Sequence, residues 1–433
     1  MNQLKIPATA FPPERIYSRL PVLDEADTAP RDKIRLLTLL PGVNAIKSNL
    51  RVVPLDSKPN YIALSYVWGD TTFRQPISVN GCLLGITKNL HGALYNLRAQ
   101  LESRDLWVDA ICIDQGNIPE VSNQITMMRR IYENAQKVIA WLGESSQQTD
   151  QDDMDNDDGT DSGAGMDSDT AMEYLARKEW LEKPYLQLYE QDWKHVINIF
   201  KRRYWSRVWV AQEIAAAKNV DLFCGSSKRS KELSKQLPLS LLKTFLRKKL
   251  EYPHPLDGPR WRPLRMLQLR EGLENNALVV ILLDAALLKA TKSVDKIFGL
   301  LGFFPDKMQK ALIYSEGKSF QEVSIELIRS YLNIYGDLEF LAVFRRFKDT
   351  APDIICPSWF VNIGERIFWL EEPFNASEKL QRGKVKLLEN GIIMAPGLKL
   401  GEVTEVYGPF ETRKKILLEN YQRLWRKYLL HEL

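Results

Sequence analysis

Leu106 to Asn117, LWVDAICIDQGN, is the stretch from which the fold is read. Leu106, Trp107, Val108, Ala110, Ile111, Cys112 and Ile113 make an apolar run interrupted only by Asp109. Asp114, Gln115, Gly116 and Asn117 then close it with polar and turn-forming residues. An uninterrupted run of this kind, rich in β-branched residues, predicts a buried strand of a parallel sheet. Ligands of open α/β sheets gather at the carboxyl ends of such strands, so the loop from Asp114 to Asn117 enters as a site candidate. On spacing alone the stretch reads as a core strand with a polar cap.

The neighbours of this stretch repeat the pattern. Upstream, Tyr61 to Val67 is a second apolar run, closed by Trp68, Gly69 and Asp70. Ile34 to Leu40, ahead of Pro41-Gly42, predicts a further strand. Asn80-Gly81 between Ile77-Ser78-Val79 and Cys82-Leu83-Leu84 is a two-residue hairpin signal. Thr87 is placed to cap a helix whose Leu90, Leu94, Leu97 and Leu101 share one face. Downstream, Pro119 suits a first helical turn, and Val121, Ile125, Met128, Tyr132 and Ala135 form an apolar stripe. Lys137 to Leu142 is another buried-strand pattern ended by Gly143, which completes a βαβ unit. The expected fold class is therefore α/β.

Beyond Gly143, residues 145–169 carry nine aspartates and neither lysine nor arginine. Such a composition cannot bury a core and predicts a disordered insertion. It also fails as a calcium loop, because Met154 and Gly165 would occupy the first and twelfth ligand positions around Gly159. Trp193, Val196, Ile197 and Phe200 predict a helix leading to Tyr204-Trp205. Residues 207–217 predict a short helix capped by Ser206, followed by a strand at 220–225. Trp209 and Glu213 lie four apart and share a face, with Gln212 beside them. A carboxylate next to an indole can be desolvated and its pKa raised. On spacing alone Glu213 reads as a solvent-facing glutamate of an amphipathic helix.

Composition narrows the function classes. The apolar fraction of 45% and charged fraction of 26% are those of an ordinary globular protein, and 433 residues suffice for two or three domains. Four scattered cysteines form no metal or disulfide pattern and predict a reducing, cytoplasmic compartment. The amino-terminal residues lack the apolar core of a secretory signal. The longest apolar run, Ala277 to Leu288, is too short for a membrane span of about 20 residues. The net charge of +4 arises from scattered basic clusters with no nucleic-acid module beside them, so no nucleic-acid partner is expected. His91, His195, His254 and His431 have no metal spacing, and no metal site is expected. Gly317-Lys318-Ser319 ends like a phosphate loop, but Leu312 stands where that loop needs glycine. Carboxylates remain, chiefly Asp70, Asp109, Asp114 and Glu213.

Four blocks together carry a resemblance. Tyr61-Ile-Ala-Leu-Ser-Tyr-Val-Trp-Gly-Asp70, Leu106 to Gln115 with Asn117, Gln124 to Gly143, and Arg207-Val-Trp-Val-Ala-Gln-Glu213 resemble, in the same order, the heterokaryon incompatibility (HET) domain of filamentous fungi. The resemblance implies fungal self/non-self recognition and a cell-death reaction. HET domains are in turn similar to Toll/interleukin receptor (TIR) domains, several of which cleave NAD. That second likeness implies a TIR-like, flavodoxin-like parallel-sheet core with an added β-hairpin, and a mainly helical α+β region after it. The divisions expected from the HET blocks and the chain around them are a lead-in over 1–60 packed on the core, the HET domain over 61–225, and a carboxyl-terminal region over 226–433. Glu213 would be the catalytic residue. Tyr66, Trp68, Gly69, Asp70, Asp109, Asp114, Gln115, Arg207, Trp209 and Gln212 would surround the substrate, NAD, with no resident cofactor. Self-association into a homo-oligomer or an incompatibility partner protein is the implied mode of assembly, and a non-enzymatic signalling module is the competing function.

Overall fold

Strand β4 (Ile62–Tyr66) lies at the centre of the sheet, with parallel neighbours on both sides. Its register sets Ile62 beside Leu106 of β7 (Arg104–Trp107) and Ser65 beside Ala140 of β8 (Lys137–Glu144). The chain is described by a computed structural model. It covers residues 32–70, 72–99, 101–144, 168–181, 202–225, 236–250 and 288–336, with shorter pieces among them and near both ends. Strand β9 (Val220–Gly225) continues the parallel set on the far side of β8. The parallel strands thus stand in the order β7-β4-β8-β9, second, first, third and fourth along the chain. Such an order is produced when the connections of β4 and β8 leave the sheet in opposite directions.

Antiparallel strands extend this core. Strand β2 (Lys33–Leu39) pairs with both β7 and β3 (Lys47–Pro54). The hairpin of β5 (Phe73–Val79) and β6 (Cys82–Thr87) joins beside β3, and β1 (Ile6–Pro7) pairs with β5. At the other side β10 (Gln236–Pro238) runs antiparallel to β9. One sheet of ten strands results.

The local signals act as their chemistry requires. Asn80 and Gly81 both take positive φ, 51° and 78°, the geometry of the tight turn between β5 and β6. Thr87 accepts from the Leu90 amide and caps α2 (Lys88–Leu97). After the short α1 (Glu14–Tyr17), α2 and α3 (Asp109–Cys112), Asn117 caps α4 (Ile118–Asn134), which has Pro119 in its first turn. Further helices are α5 (Ser168–Arg177), α6 (Val208–Ala216), α7 (Leu239–Leu250), α8 (Asp295–Phe298), α9 (Asp306–Ala311) and α10 (Phe320–Tyr335). The indole N–H of Trp141 on β8 reaches Asn89 of α2 at 2.8 Å, while Ser65, one register row away, bonds Glu213 of α6. Because side chains alternate along a strand, α2 and α6 cover opposite faces.

Several expectations need correction. The strand read at 106–113 stops at Trp107, and residues 109–112 turn into a helical coil. The Asp109 carboxylate accepts from the Ala110 amide at 2.7 Å, and Cys112 N–H returns to Val108 O at 2.7 Å, so the backbone curls instead of pairing. Ser206 does not cap α6. It ends a 3-10 turn, Arg203–Ser206, and donates to Arg203 O, leaving Arg207 at the cap with no side-chain bond to the helix backbone. Strand β3 carries no continuous apolar run, because exposed Lys47, Asn49 and Arg51 alternate with its buried face. Ser319 and Glu322 form a reciprocal capping box at α10, and Lys318 pairs with Glu326 at 2.8 Å, so Gly317-Lys318-Ser319 serves as a helix start. The acidic stretch up to residue 167, most of the helix at 193–200 and most of Ala277 to Leu288 lie outside the described residues, as does the chain beyond 336 except two paired two-residue strands. Among the described residues no helix is long and apolar enough to cross a membrane.

Candidate functional site

The carboxyl ends of β4 and β7 deliver a cluster of polar side chains. Ser65, on the face of β4 toward α6, donates its hydroxyl proton to the Glu213 carboxylate and lies 2.8 Å from the Tyr204 hydroxyl. Tyr132, from the inner face of α4, bonds Glu213 as well and approaches Leu64 O at 3.2 Å. Its ring packs edge-on against Trp107, 5.4 Å between centroids. Glu213 is therefore not the solvent-facing residue that helical spacing suggests: it is 4% exposed. The reason is that α6 is apolar nearly all round, with Val208, Val210, Ala211, Ile214 and Ala215 all buried.

Asp109 stands at the turn after β7. The Trp68 indole N–H reaches its carboxylate at 2.6 Å, and the buried Tyr66 hydroxyl, which makes no well-formed hydrogen bond among the described residues, faces it. Arg207 donates to Tyr66 O at 2.8 Å and places its positive charge near both Asp109 and Glu213. Trp68, Asp109 and Arg207 are partly exposed and form the solvent side of the cluster. Burial pushes the Glu213 carboxyl up to about 8, assisted by the nearby Asp109 and opposed by the Ser65 bond and by Arg207. Burial also raises Asp109, against the bond from Trp68 and the charge of Arg207. The tyrosines Tyr66, Tyr132 and Tyr204 are held protonated by desolvation first and by the neighbouring carboxyls second.

Of the residues singled out from the sequence, Tyr66, Trp68, Asp109, Arg207 and Glu213 come together here. The others do different work. Asp70 is exposed and accepts from Thr72 N, and Gly69 uses its positive φ of 74° in the turn between Trp68 and Asp70. Asp114 and Gln115 belong to a loop held from beneath. Arg35 and Glu120 are buried and bonded through both guanidinium nitrogens, Arg35 also reaches Cys112 O, and Glu120 accepts from Asp114 N at 2.7 Å. Gln115 bonds Asp109 O at 3.1 Å, tying that loop to the turn. Trp209 and Gln212 point to residues of the carboxyl-terminal region: Trp209 donates to Asp295, and Gln212 Oε1 accepts from Gly302 N at 3.2 Å.

Ser65, Tyr132, Tyr204 and Asp295 escaped sequence reasoning. Tyr132 looked like one more apolar position of a helix stripe, and a serine inside a strand carries no periodic signal. The cluster offers two carboxyls in a low-dielectric setting, hydroxyl donors and one cation, which suits binding and acid-base work on a polar ligand. Among the described residues no group of histidine, cysteine, aspartate and glutamate could hold a metal ion.

Comparison with known proteins sets likenesses beside this geometry. Residues 61–213 match the family model described as heterokaryon incompatibility protein (HET), and they contain every member of the cluster around Glu213. The chain is 29% identical over 343 residues to heterokaryon incompatibility protein 6, OR allele, of Neurospora crassa, an alignment covering 64% of this chain and 48% of the relative. The chain thus spans about half the length of that curated relative. No solved structure matches.

Proposed function

We propose, on the premise that residues 61–213 are a HET domain, that the chain acts in fungal incompatibility as a cell-death effector, and that the cluster around Glu213 cleaves the nicotinamide-ribose bond of NAD. The observation that supports this is the pairing of two carboxyls of raised pKa, Glu213 and Asp109, beside Arg207 at the carboxyl ends of β4 and β7. Neighbouring connections of β4 and β8 diverge there, the place where open α/β sheets take ligands. A TIR-like core is the fold-level analogue of this reading.

Nicotinamide departs with the electron pair of the carbon-nitrogen bond, as a neutral ring, so no proton has to be given to it. Water adds to the ribosyl carbon and releases one proton, leaving ADP-ribose. The Glu213 carboxylate faces the positive charge that develops on the ribosyl ring. Arg207 meets the pyrophosphate, and Trp68 and Tyr66 bound the ring-binding side with Asp109 between them. Glu213 must be ionised for this role, so its burial ties the reaction to pH.

A second reading has its own observation. Glu213 is nearly inaccessible and bonded by the Ser65 and Tyr132 hydroxyls, as a residue that fastens α6 to the sheet would be. The chain would then be a non-enzymatic module acting through self-association or a partner protein. Nicotinamide release from NAD, measured for the purified full chain and for Glu213→Gln, separates the two. Release by the wild type that disappears in the variant supports the enzyme. A wild type without release, or a variant as active as wild type, transfers the function to assembly.

A further inference from the structure

Helix α6 carries both Arg207, at its cap, and Glu213, yet it is also held by residues 289–304, outside the HET match. Val208 N–H donates to Lys289 O at 3.0 Å and Lys289 N–H to Ser206 O at 2.5 Å, a strand-like bridge at the start of the helix. At Gly299 an added Cβ would lie 2.8 Å from Asp295 O and 2.9 Å from Val208 Cγ1. At Gly302 it would lie 3.0 Å from both Arg129 Cβ and Gln212 Oε1. Arg129 of α4 donates to Gly302 O at 2.9 Å, and Gly302 N donates to Gln212. This glycine is wedged between the two helices that supply Tyr132 and Glu213. Only residues without a side chain permit so close an approach.

One side-chain contact adds direction. The Trp209 indole N–H faces the Asp295 carboxylate, and Asp295 in turn faces Arg207 and Lys292. Arg207 therefore stands between two indole-carboxylate pairs, Trp68 with Asp109 and Trp209 with Asp295.

We propose that residues 289–304 are the second half of the site, and that Asp295 is a positioning residue, holding Trp209 and through it the Arg207 and Glu213 end of α6 against β4. The proposal concerns where α6 sits and stands apart from the NAD reading, since its test measures backbone exposure.

The test is hydrogen exchange of the full chain, read by mass spectrometry on peptides covering 204–216, 61–70 and, as a reference, the hairpin 73–87. Asp295→Leu removes the acceptor, and the first two peptides exchange roughly tenfold faster, the scale of one charge-assisted hydrogen bond, while the hairpin is unchanged. Asp295→Asn keeps an oxygen for Trp209 and restores exchange to near the wild-type rate. Trp209→Phe, which removes the donor instead, reproduces the leucine pattern and decides the question if Asp295→Leu does not fold. Unchanged exchange over 204–216 in the leucine or phenylalanine variants overturns the proposal. So does equal acceleration by Asn and Leu, which would make Asp295 a packing residue only.

Discussion

Ser65, on the central parallel strand, donates its hydroxyl proton to Glu213 of α6 across 148 residues of chain. The Tyr204 hydroxyl backs the same oxygen at 2.8 Å, so two buried hydroxyls stand in line behind one carboxyl. A bond to the ionised form lowers a carboxyl pKa.

Ser65→Ala should therefore move Glu213 further above its value of about 8. If nicotinamide release needs the carboxylate, the rising limb of its pH profile shifts alkaline by about one unit, and the rate near neutrality falls roughly tenfold. A profile unmoved by the substitution would separate Ser65 from the ionisation that matters.

Stability should depend on Glu213 in the opposite sense. Its folded-state pKa of about 8 exceeds the ordinary 4.5, so the folded chain holds the proton more tightly than the unfolded one. The contribution is favourable below about 4.5, declines as pH rises from there to about 8, and is lost above. Glu213→Gln keeps the neutral shape without the proton. Its Tm at pH 8 is expected above that of wild type by about 4 °C or more, with the gap closing toward pH 5, in thermal melts across that range.

The Arg35–Glu120 pair makes a different prediction. Glu120→Ala leaves a buried guanidinium without its anion and frees the Asp114 amide, at a cost of about 3–5 kcal/mol in urea unfolding. Replacing both members, Arg35→Met with Glu120→Leu, should recover most of that loss, because no buried charge then remains. A double variant as weak as the single one would place the value of the pair in its bonds to Cys112 O and Asp114 rather than in charge compensation.

At the hairpin tip, Gly81→Val forces a β-branched residue into φ of 78°. With nothing within 4 Å of the added Cβ, the effect is backbone strain alone, about 1–2 kcal/mol by urea unfolding. Nicotinamide release should be unaffected, since the turn stands away from the Glu213 cluster.

Much of the architecture could be read along the chain because its signals are local. Thr87, Asn117 with Pro119, and Asn80-Gly81 each satisfy backbone groups within a few residues, and β4 and β8 announce themselves as buried runs. The site was legible only where a motif named it, as at Glu213. Its burial, and its bonds to Ser65 and Tyr132, join residues far apart whose individual spacing carries no sign of polar duty. Asp109 misled in a further way: a carboxylate inside an apolar run looked like a tolerated interruption of a strand, whereas its bond to the Ala110 amide is what ends the strand. Strand β3 was obscured because half its face is charged.

The antiparallel strands beside the parallel core bear on how copies of this chain can meet. Both lateral strands of the core, β7 and β9, already have antiparallel partners, β2 and β10. Among the described residues the open edges of the sheet therefore lie on β10, β6 and β1, each of which pairs with a single strand. A second chain that added a strand would do so beside one of those three, not on the parallel core. Pairing at those edges would leave β7, β4, β8 and β9, and the polar cluster at their ends, undisturbed.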